Sequence, residues 1–273
     1  MKKKMRTLAM AVLLAVFLVS TALMLRQFLD NSGGEASYRA AQEIAGNVQV
    51  KTDAALSAVA DNGEQPVSRW VPAAVEDDPC MEDLKNINLA ALREVNPDVV
   101  GWIRIPDTRI DYPLMQGEDN EFYLKHTWEK EANSVGSVFL ECQNSADLSD
   151  YNTIVYAHNM HNGSMFSDLE LFALEDYRKD RPYVYLVTDV GVYRYEIFAF
   201  FQPEVESLTY GMNPQREDTK AKFLKQALEK AWYDTGVRPA VTDRILTLST
   251  CSGADYDFRY VVQARLPMVE VME

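Results

Sequence analysis

Between residues 99 and 266, short hydrophobic runs with β-strand character follow one another, and glycine, proline, asparagine or aspartate separates several of them. Eight strands are predicted: Val99–Ile105, Arg109–Tyr112, Ser137–Leu140, Thr153–Tyr156, Tyr183–Thr188, Val192–Phe201, Arg244–Thr250 and Tyr260–Leu266. Many short strands with turn residues between them are typical of a closed or nearly closed β-barrel. The predicted fold class is therefore mainly β.

One helical pattern interrupts the late strands. From Asp218 to Tyr233 the apolar residues fall on one stripe with lysine and glutamate outside it, and Gly236 suits the helix end. Two shorter helices are predicted before the first strand. Asp78 followed by proline is typical of a helix N-terminus, and a second helix, Leu89–Val95, should end before the next proline.

The chain begins with a basic tip and an uncharged apolar run of 18 residues, Leu8–Leu25. That length is close to the ~20 residues that cross a bilayer. Basic residues before the run predict a single membrane-spanning helix whose N-terminus stays in the cytoplasm. The alternative is a cleaved signal peptide, for which Ser20 and Ala22 offer a small-residue cleavage site. Both interpretations place the rest of the chain outside the cytoplasm.

The segment from Asn31 to about Asp77 is rich in small, polar and acidic residues and has weak apolar periodicity. It is predicted to be an extracellular linker, helical in part near the membrane. The predicted organisation is a cytoplasmic tip and anchor at 1–26, a linker at 27–77 and a β-barrel domain at 78–273.

The formal charge is −14, although several basic residues lie at the two ends of the N-terminal apolar run. The remainder of the chain is more acidic still, so it should repel nucleic acid, and nucleic acid is excluded as a partner. Three cysteines are an odd number, so at least one of them is outside any intramolecular disulfide. A bridge between Cys80 and Cys142 has no local support in the sequence.

The segment Ile245–Leu266 carries the candidate chemistry. Cys251 directly follows a predicted strand, a turn-rich segment comes next, and Arg259 directly precedes the next predicted strand. His158 follows another predicted strand end. A cysteine thiolate attacks carbonyls, an imidazole protonates a leaving amine, and a guanidinium stabilises an oxyanion or a peptide carbonyl. These three residues are therefore a candidate catalytic group.

Other interpretations of the same residues remain open. Cys251 alone could be a buried core thiol, and Arg259 alone could form a surface ion pair with Asp255 or Asp257. His126 lies in a polar stretch typical of a surface residue. His158 and His161 have a spacing found in metal sites, but no third histidine or carboxylate motif accompanies them, so no metal site is predicted.

Several motifs together resemble one family. TLSTC at 247–251, followed by an arginine that leads a strand, resembles the TLxTC signature of sortases. NTIVYAHNMHNGSMFSDL at 152–169 resembles the histidine segment of class B sortases, and VVGWIRIPDTRIDYPLMQGEDNEFYL at 99–124 resembles their first barrel strands. The resemblance covers roughly residues 80–267, with its motifs in the expected order, and it extends to the N-terminal anchor and the inserted helix.

The resemblance implies a membrane-anchored cysteine transpeptidase of Gram-positive bacteria, built on an eight-stranded sortase-type barrel. It implies that Cys251 is the nucleophile, His158 the general acid/base, and Arg259 the residue that binds substrate and stabilises the oxyanion. The partners implied are secreted proteins with a C-terminal sorting motif and an amine of a cell-wall precursor or pilin lysine. Asn120, Leu124 and Ser249 are expected to line the cleft, and no cofactor is implied.

One departure from the family pattern concerns the residue after the nucleophile. Many class B sequences have an acidic residue there, whereas this chain has Ser252 and a short loop to Arg259. The loop at 202–218 and the helix after it are expected to shape recognition. Two alternative functions remain: an extracellular cysteine protease that mainly hydrolyses, and a non-enzymatic binding module. The presence of all three candidate catalytic residues argues against the binding module, which has no need for them.

Overall fold

Each of the eight predicted strand segments forms a strand in the computed structural model, which describes residues 2–46, 68–203, 207–251 and 259–272. The strands are β1 (Ser68–Pro72), β2 (Val99–Arg104), β3 (Asp111–Met115), β4 (Val138–Leu140), β5 (Asn152–Ala157), β6 (Tyr183–Val187), β7 (Val192–Phe201), β8 (Arg244–Cys251), β9 (Arg259–Leu266) and β10 (Met268–Met272). Eight of them close into a barrel in the order β2-β3-β4-β5-β8-β9-β7-β6, which confirms the predicted fold class.

The barrel encloses an apolar core, and two of its strand contacts are parallel. Strand β3 pairs with β4 in parallel, and β5 pairs with β8 in parallel from Asn152 opposite Ile245 to Ala157 opposite Thr250. Ile103, Leu114 and Leu248 are fully buried in the core cluster. Because each buried aliphatic side chain stabilises the fold by about 1.5–3 kcal/mol, the core holds the strand register firmly.

The helices are α1 (Lys2–Gly46), α2 (Pro79–Leu84), α3 (Leu89–Val95), α4 (Glu175–Asp180) and α5 (Glu217–Lys230), with 3-10 turns at Phe122–Leu124, Ser167–Ala173 and Leu208–Tyr210. The two predicted N-terminal helices are present as α2 and α3. The side chain of Asp78 accepts hydrogen bonds from the backbone N–H groups of Cys80 and Met81, and so satisfies donors at the start of α2 that have no partner within the helix.

Helix α5 is the predicted inserted helix, and it packs its buried stripe, Phe223, Leu224 and Ala227, into a second apolar cluster. It ends at Lys230, three residues before the predicted end at Tyr233. The reason is a competing hydrogen bond, because the backbone N–H of Trp232 donates to the carbonyl oxygen of Phe200 in β7.

Helix α1 is continuous from Lys2 to Gly46. From Val12 to Leu29 the helix is exposed and mainly apolar, with a mean hydropathy of 2.1 over an 18-residue window, and it is long enough to cross a membrane. The C-terminal half differs from the linker expectation, because it packs against the barrel with Tyr38, Ala41 and Ala45 buried. The remainder of the predicted linker up to Val67 lies outside the described residues.

Strands β1 and β10 were not predicted. They form a separate two-stranded antiparallel sheet, in which Ser68 lies opposite Met272 and Pro72 opposite Met268. The backbone N–H of Ala73 donates to the carbonyl oxygen of Pro267, which extends the contact by one residue. The segment that precedes the predicted barrel domain in sequence is thus joined to the strand that follows β9.

Candidate active site

Three strand ends bring the candidate catalytic residues together. In the parallel pair of β5 and β8, Ala157 lies opposite Thr250, so His158 and Cys251 follow at the same edge of the sheet. In the antiparallel pair of β8 and β9, Cys251 lies opposite Arg259. Neighbouring strands are about 4.8 Å apart, so the three backbones lie within two strand spacings. The side chain of Cys251 and the loop 252–258, including Ser252, lie outside the description.

A cleft of about 280 Å³ opens at this edge. Its described lining consists of Asn120, Leu124, Phe139, Tyr156, Ala157, His158, Tyr210 and Arg259. Four of the residues expected at the site therefore share one cavity. The fifth described side chain, Ser249, is fully buried, and its hydroxyl lies 3.0 Å from the hydroxyl of Tyr210. Ser249 is therefore not part of the described lining, but it contacts Tyr210, which is.

His158 is held both through its ring and through its backbone. Its Nε2 atom lies 2.7 Å from the carbonyl oxygen of Leu124, and its own carbonyl oxygen accepts a hydrogen bond from the backbone N–H of Phe166. Since a carbonyl oxygen only accepts hydrogen bonds, Nε2 carries a proton. In the neutral ring Nδ1 is then the nitrogen that has a lone pair, and it is the atom that can take up and release a proton.

The buried carboxylate of Glu141 binds two side chains of the cleft lining. The side-chain amide of Asn120 donates to both oxygens of Glu141 at 2.7 and 2.8 Å, and its Oδ1 atom accepts from the backbone N–H of Cys142. The hydroxyl of Tyr156 donates to the same carboxylate at 3.1 Å. Burial and the negative charge of Glu141 raise the pKa of Tyr156, so the hydroxyl stays protonated as a donor. Glu141 thereby fixes two side chains of the cleft.

The other two histidines lie outside the described lining of this cleft. His126 stacks on Phe122 with ring centroids 3.9 Å apart and donates from Nδ1 to the Phe122 carbonyl oxygen. His161 is exposed. Among the residues that the structure describes, no three histidine, cysteine, aspartate or glutamate side chains are grouped to hold a metal ion. Cys80 and Cys142 are both free thiols.

Sequence reasoning missed Phe139, Tyr156, Tyr210 and Glu141. Tyr156 lies in β5, two residues before His158, which directly follows the strand. Because side chains two residues apart along a strand share a face, the approach of Tyr156 to the cleft follows from that of His158. Tyr210 comes from the loop that was expected to shape recognition, and its ring stacks beside Tyr156 with centroids 6.4 Å apart. Glu141 gives no local signal, because its importance lies in contacts with Asn120 and Tyr156, which are distant in sequence.

The family model described as "Sortase domain" matches residues 103–267. Sortase B of Listeria monocytogenes is 36% identical over 181 residues, which cover 65% of this chain and 73% of that protein. Among solved structures, sortase B from B. anthracis in complex with AAEK1 matches with a TM-score of 0.67 and 27% identity, covering 88% of this chain and 98% of that one. The Staphylococcus aureus sortase B–substrate complex matches with a TM-score of 0.62 and 28% identity, covering 67% of this chain and 85% of that one.

Proposed function

The chain belongs to the sortase family and is a cysteine transpeptidase of the class B type, and on that basis we propose which residues perform the reaction and on which substrates. Cys251 is the nucleophile, His158 the general acid and base, and Arg259 the residue that holds the attacked carbonyl. The observation that carries the proposal is the meeting of their backbones at one barrel edge, through the β5–β8 and β8–β9 pairs.

In the first step the Cys251 thiolate attacks the carbonyl carbon of the scissile peptide bond in a C-terminal sorting motif. A carbon–sulfur bond forms, the carbon–nitrogen bond breaks, and the proton held at Nδ1 of His158 goes to the departing amine. The developing oxyanion lies near the Arg259 guanidinium, whose fixed charge stabilises it. The product of this step is a thioacyl enzyme.

In the second step an acceptor amine attacks the thioacyl carbon while Nδ1 of His158 takes its proton. The new amide bond forms as the carbon–sulfur bond breaks, and the thiolate is regenerated. The acceptor is an amine of a cell-wall precursor, and the lysine of a pilin subunit is the other amine of matching chemistry. The reaction balances without an oxidant, a metal or an external energy source, because one amide replaces another.

The cleft suits a short extended peptide. Leu124, Phe139 and Tyr210 offer apolar surface, and Asn120 and Arg259 add polar side chains to the same lining. Because Glu141 holds Asn120 and Tyr156 in fixed orientations, the cleft is ordered before the peptide arrives, which lowers the entropy cost of binding.

The proposed location is the outer face of the cell membrane. Residues 1–26 form the cytoplasmic tip and a single-pass anchor, and residues 78–273 form the extracellular catalytic domain. The apolar half of α1 and the basic residues before it support this orientation. Helix residues up to Gly46 belong structurally with the barrel, since their buried face packs on it.

The test is a panel of sorting-motif peptides incubated with the full chain in detergent, with and without amines that mimic wall precursors or pilin lysines. Ligated product that depends on Cys251 supports the proposal, and the acceptor that is used best distinguishes wall anchoring from pilus assembly. Peptide cleavage that never yields a ligated product with any amine would instead identify a hydrolase and contradict the proposal.

A further inference from the structure

The C-terminal half of α1, which packs on the barrel, contacts Gly136 and Ser137, and Gly136 lies next to the ring of His158. Tyr38 is buried, and its hydroxyl donates to the carbonyl oxygen of Gly136 at 2.5 Å and lies 3.0 Å from the hydroxyl of Ser137. Ser137 in turn donates to the carbonyl oxygen of His126. One side chain of the N-terminal helix therefore fixes the backbone of a loop in the barrel domain, about 100 residues later in the sequence.

Gly136 is in close contact with both the His158 ring and the residue that binds this ring. A Cβ atom at Gly136 would lie 2.8 Å from the carbonyl oxygens of Tyr123 and Leu124 and 3.0 Å from Cδ2 of His158. The Leu124 carbonyl is the group that accepts from His158 Nε2. Movement of the Gly136 backbone would consequently displace the ring, its hydrogen-bond partner, or both.

Tyr38 also reaches the backbone of His158 through a second path. Its ring packs edge-on against the ring of Tyr112, with centroids 5.2 Å apart. The hydroxyl of Tyr112 accepts a hydrogen bond from the backbone N–H of Met165, and the next residue, Phe166, donates to the carbonyl oxygen of His158. Contacts that begin at Tyr38 therefore lead to both the ring and the backbone of His158.

The helix cannot easily slide away from this position. A Cβ atom at Gly34 would lie 2.9 Å from the Val135 side chain, so a glycine is needed for the observed approach. The indole N–H of Trp128 donates to the carbonyl oxygen of Ser37, and the side-chain amide of Asn133 donates to that of Asp30. The contacts begin at Asp30, only five residues after the apolar run, so the domain is held close to the membrane.

We propose that Tyr38 is a positioning residue for His158, so that the extracellular end of the membrane-anchor helix is part of the active-site scaffold. The proposal rests on the role proposed above for His158. It explains why α1 continues without a break from the apolar run to the barrel. A flexible stalk would leave Gly136 and Tyr112 without the side chain that joins them.

The test compares full-length Tyr38→Phe and Gln42→Ala with the wild-type chain in detergent or vesicles. Tyr38→Phe removes the hydrogen bond to Gly136 and keeps the ring packing, so kcat for transpeptidation should fall about three- to tenfold, while KM for the sorting peptide changes less than twofold. The acidic limb of the pH profile of kcat should also shift. Gln42→Ala removes another bond between helix and barrel, to the carbonyl oxygen of Asp111, and should leave both quantities within twofold.

His158→Ala, measured in the same assay, separates this proposal from the proposed function. Wild-type turnover in His158→Ala would remove the proposed catalytic role of the histidine. If His158→Ala is inactive but Tyr38→Phe matches the wild-type chain in kcat and in pH profile, the positioning role is wrong. A loss in Gln42→Ala equal to that in Tyr38→Phe would also contradict it, because the effect would then be general loosening of the helix.

Discussion

The Nε2 atom of His158 lies 2.7 Å from the carbonyl oxygen of Leu124, and this contact leaves Nδ1 as the ring nitrogen for the proton transfers proposed above. His158→Gln keeps an amide donor near that oxygen but removes the group that exchanges protons at Nδ1. We expect transpeptidation to fall by about 10²–10⁴-fold with little change in melting temperature. Steady-state ligation kinetics measure the loss. His126→Gln, in which the altered ring stacks on Phe122 outside the cleft lining, is the matched control and should retain full activity.

Arg259 lines the cleft and pairs in backbone register with Cys251. Arg259→Lys keeps the charge and the strand but loses the planar fork of donors, so kcat/KM should fall by roughly 10²-fold or more. Arg216→Lys changes an exposed arginine that pairs with Asp218, and it should behave as wild type. Equal kcat/KM in the two variants would show that bidentate binding by Arg259 is not required.

Glu141 holds Asn120 and Tyr156 without being part of the described cleft lining. Glu141→Gln replaces one acceptor oxygen by a donor, and one hydrogen bond to a charged group is worth about 1.5–3 kcal/mol. We expect KM for the sorting peptide to rise about tenfold or more and the melting temperature to fall. Glu175→Gln, at an exposed ion pair with Lys179, controls for the loss of a carboxylate. An unchanged KM would show that Asn120 and Tyr156 do not need this anchor.

Gly136 has a positive φ of 64° and lies against two carbonyl oxygens and His158. Gly136→Ala should destabilise the fold by about 1–3 kcal/mol and lower kcat, because both the backbone conformation and the new methyl group oppose the native geometry. Gly236→Ala is the control, since Gly236 also has positive φ but nothing lies within 4 Å of its added Cβ. A kcat as high in Gly136→Ala as in Gly236→Ala would argue against the contact with His158.

Asp78 makes the stability of the fold depend on acid pH. Burial by itself raises the pKa of Asp78, but hydrogen bonds from the Met81 backbone N–H and from the side chains of Arg194 and Tyr185 outweigh it and hold the pKa below its ordinary 3.8. The unfolded chain then binds the proton more readily, so this stabilisation is complete above about pH 4 and is lost as pH falls through the folded-state pKa.

Asp78→Asn should therefore lower the melting temperature at pH 7, since the charged pair with Arg194 at 3.0 Å is lost. The helix cap is retained, because an asparagine side-chain oxygen caps a helix about as well as an aspartate oxygen, so the difference reports the lost charge. Melting curves between pH 7 and pH 3 should show the difference from the wild-type chain narrowing below about pH 3.8. A difference that stays constant over this range would show that the Asp78 carboxylate is not the titrating group.

The sequence predicts the barrel well because each barrel strand carries its own local signal. Strands such as β5 and β8 are continuous runs of buried residues bounded by turn residues, and this pattern does not depend on distant contacts. The small sheet of β1 and β10 gives no comparable signal. Ser68 to Trp70 are exposed, and the pairing depends on the two ends of the domain meeting, which no local pattern encodes.

Docking of α1 could not be predicted for a related reason. The face that contacts the barrel uses small residues, Gly34, Ala41 and Ala45, around the buried side chain of Tyr38 and the partly buried Ile44. Small residues allow close approach but give weak apolar periodicity, so the segment has the composition of a linker. The candidate catalytic residues were accessible to prediction because each follows or ends a strand, whereas Glu141 and Tyr210 gain their place only through tertiary contacts.

The most direct test of the account is intact-mass measurement of the full-length enzyme mixed with a sorting-motif peptide that it cleaves, before and after addition of an acceptor amine. The account predicts a covalent acyl adduct that maps to Cys251, is absent in Cys251→Ala, and disappears when the amine is added as ligated peptide forms. Cleavage of the peptide by Cys251→Ala, or an adduct that releases only hydrolysed peptide at every amine concentration, would contradict it.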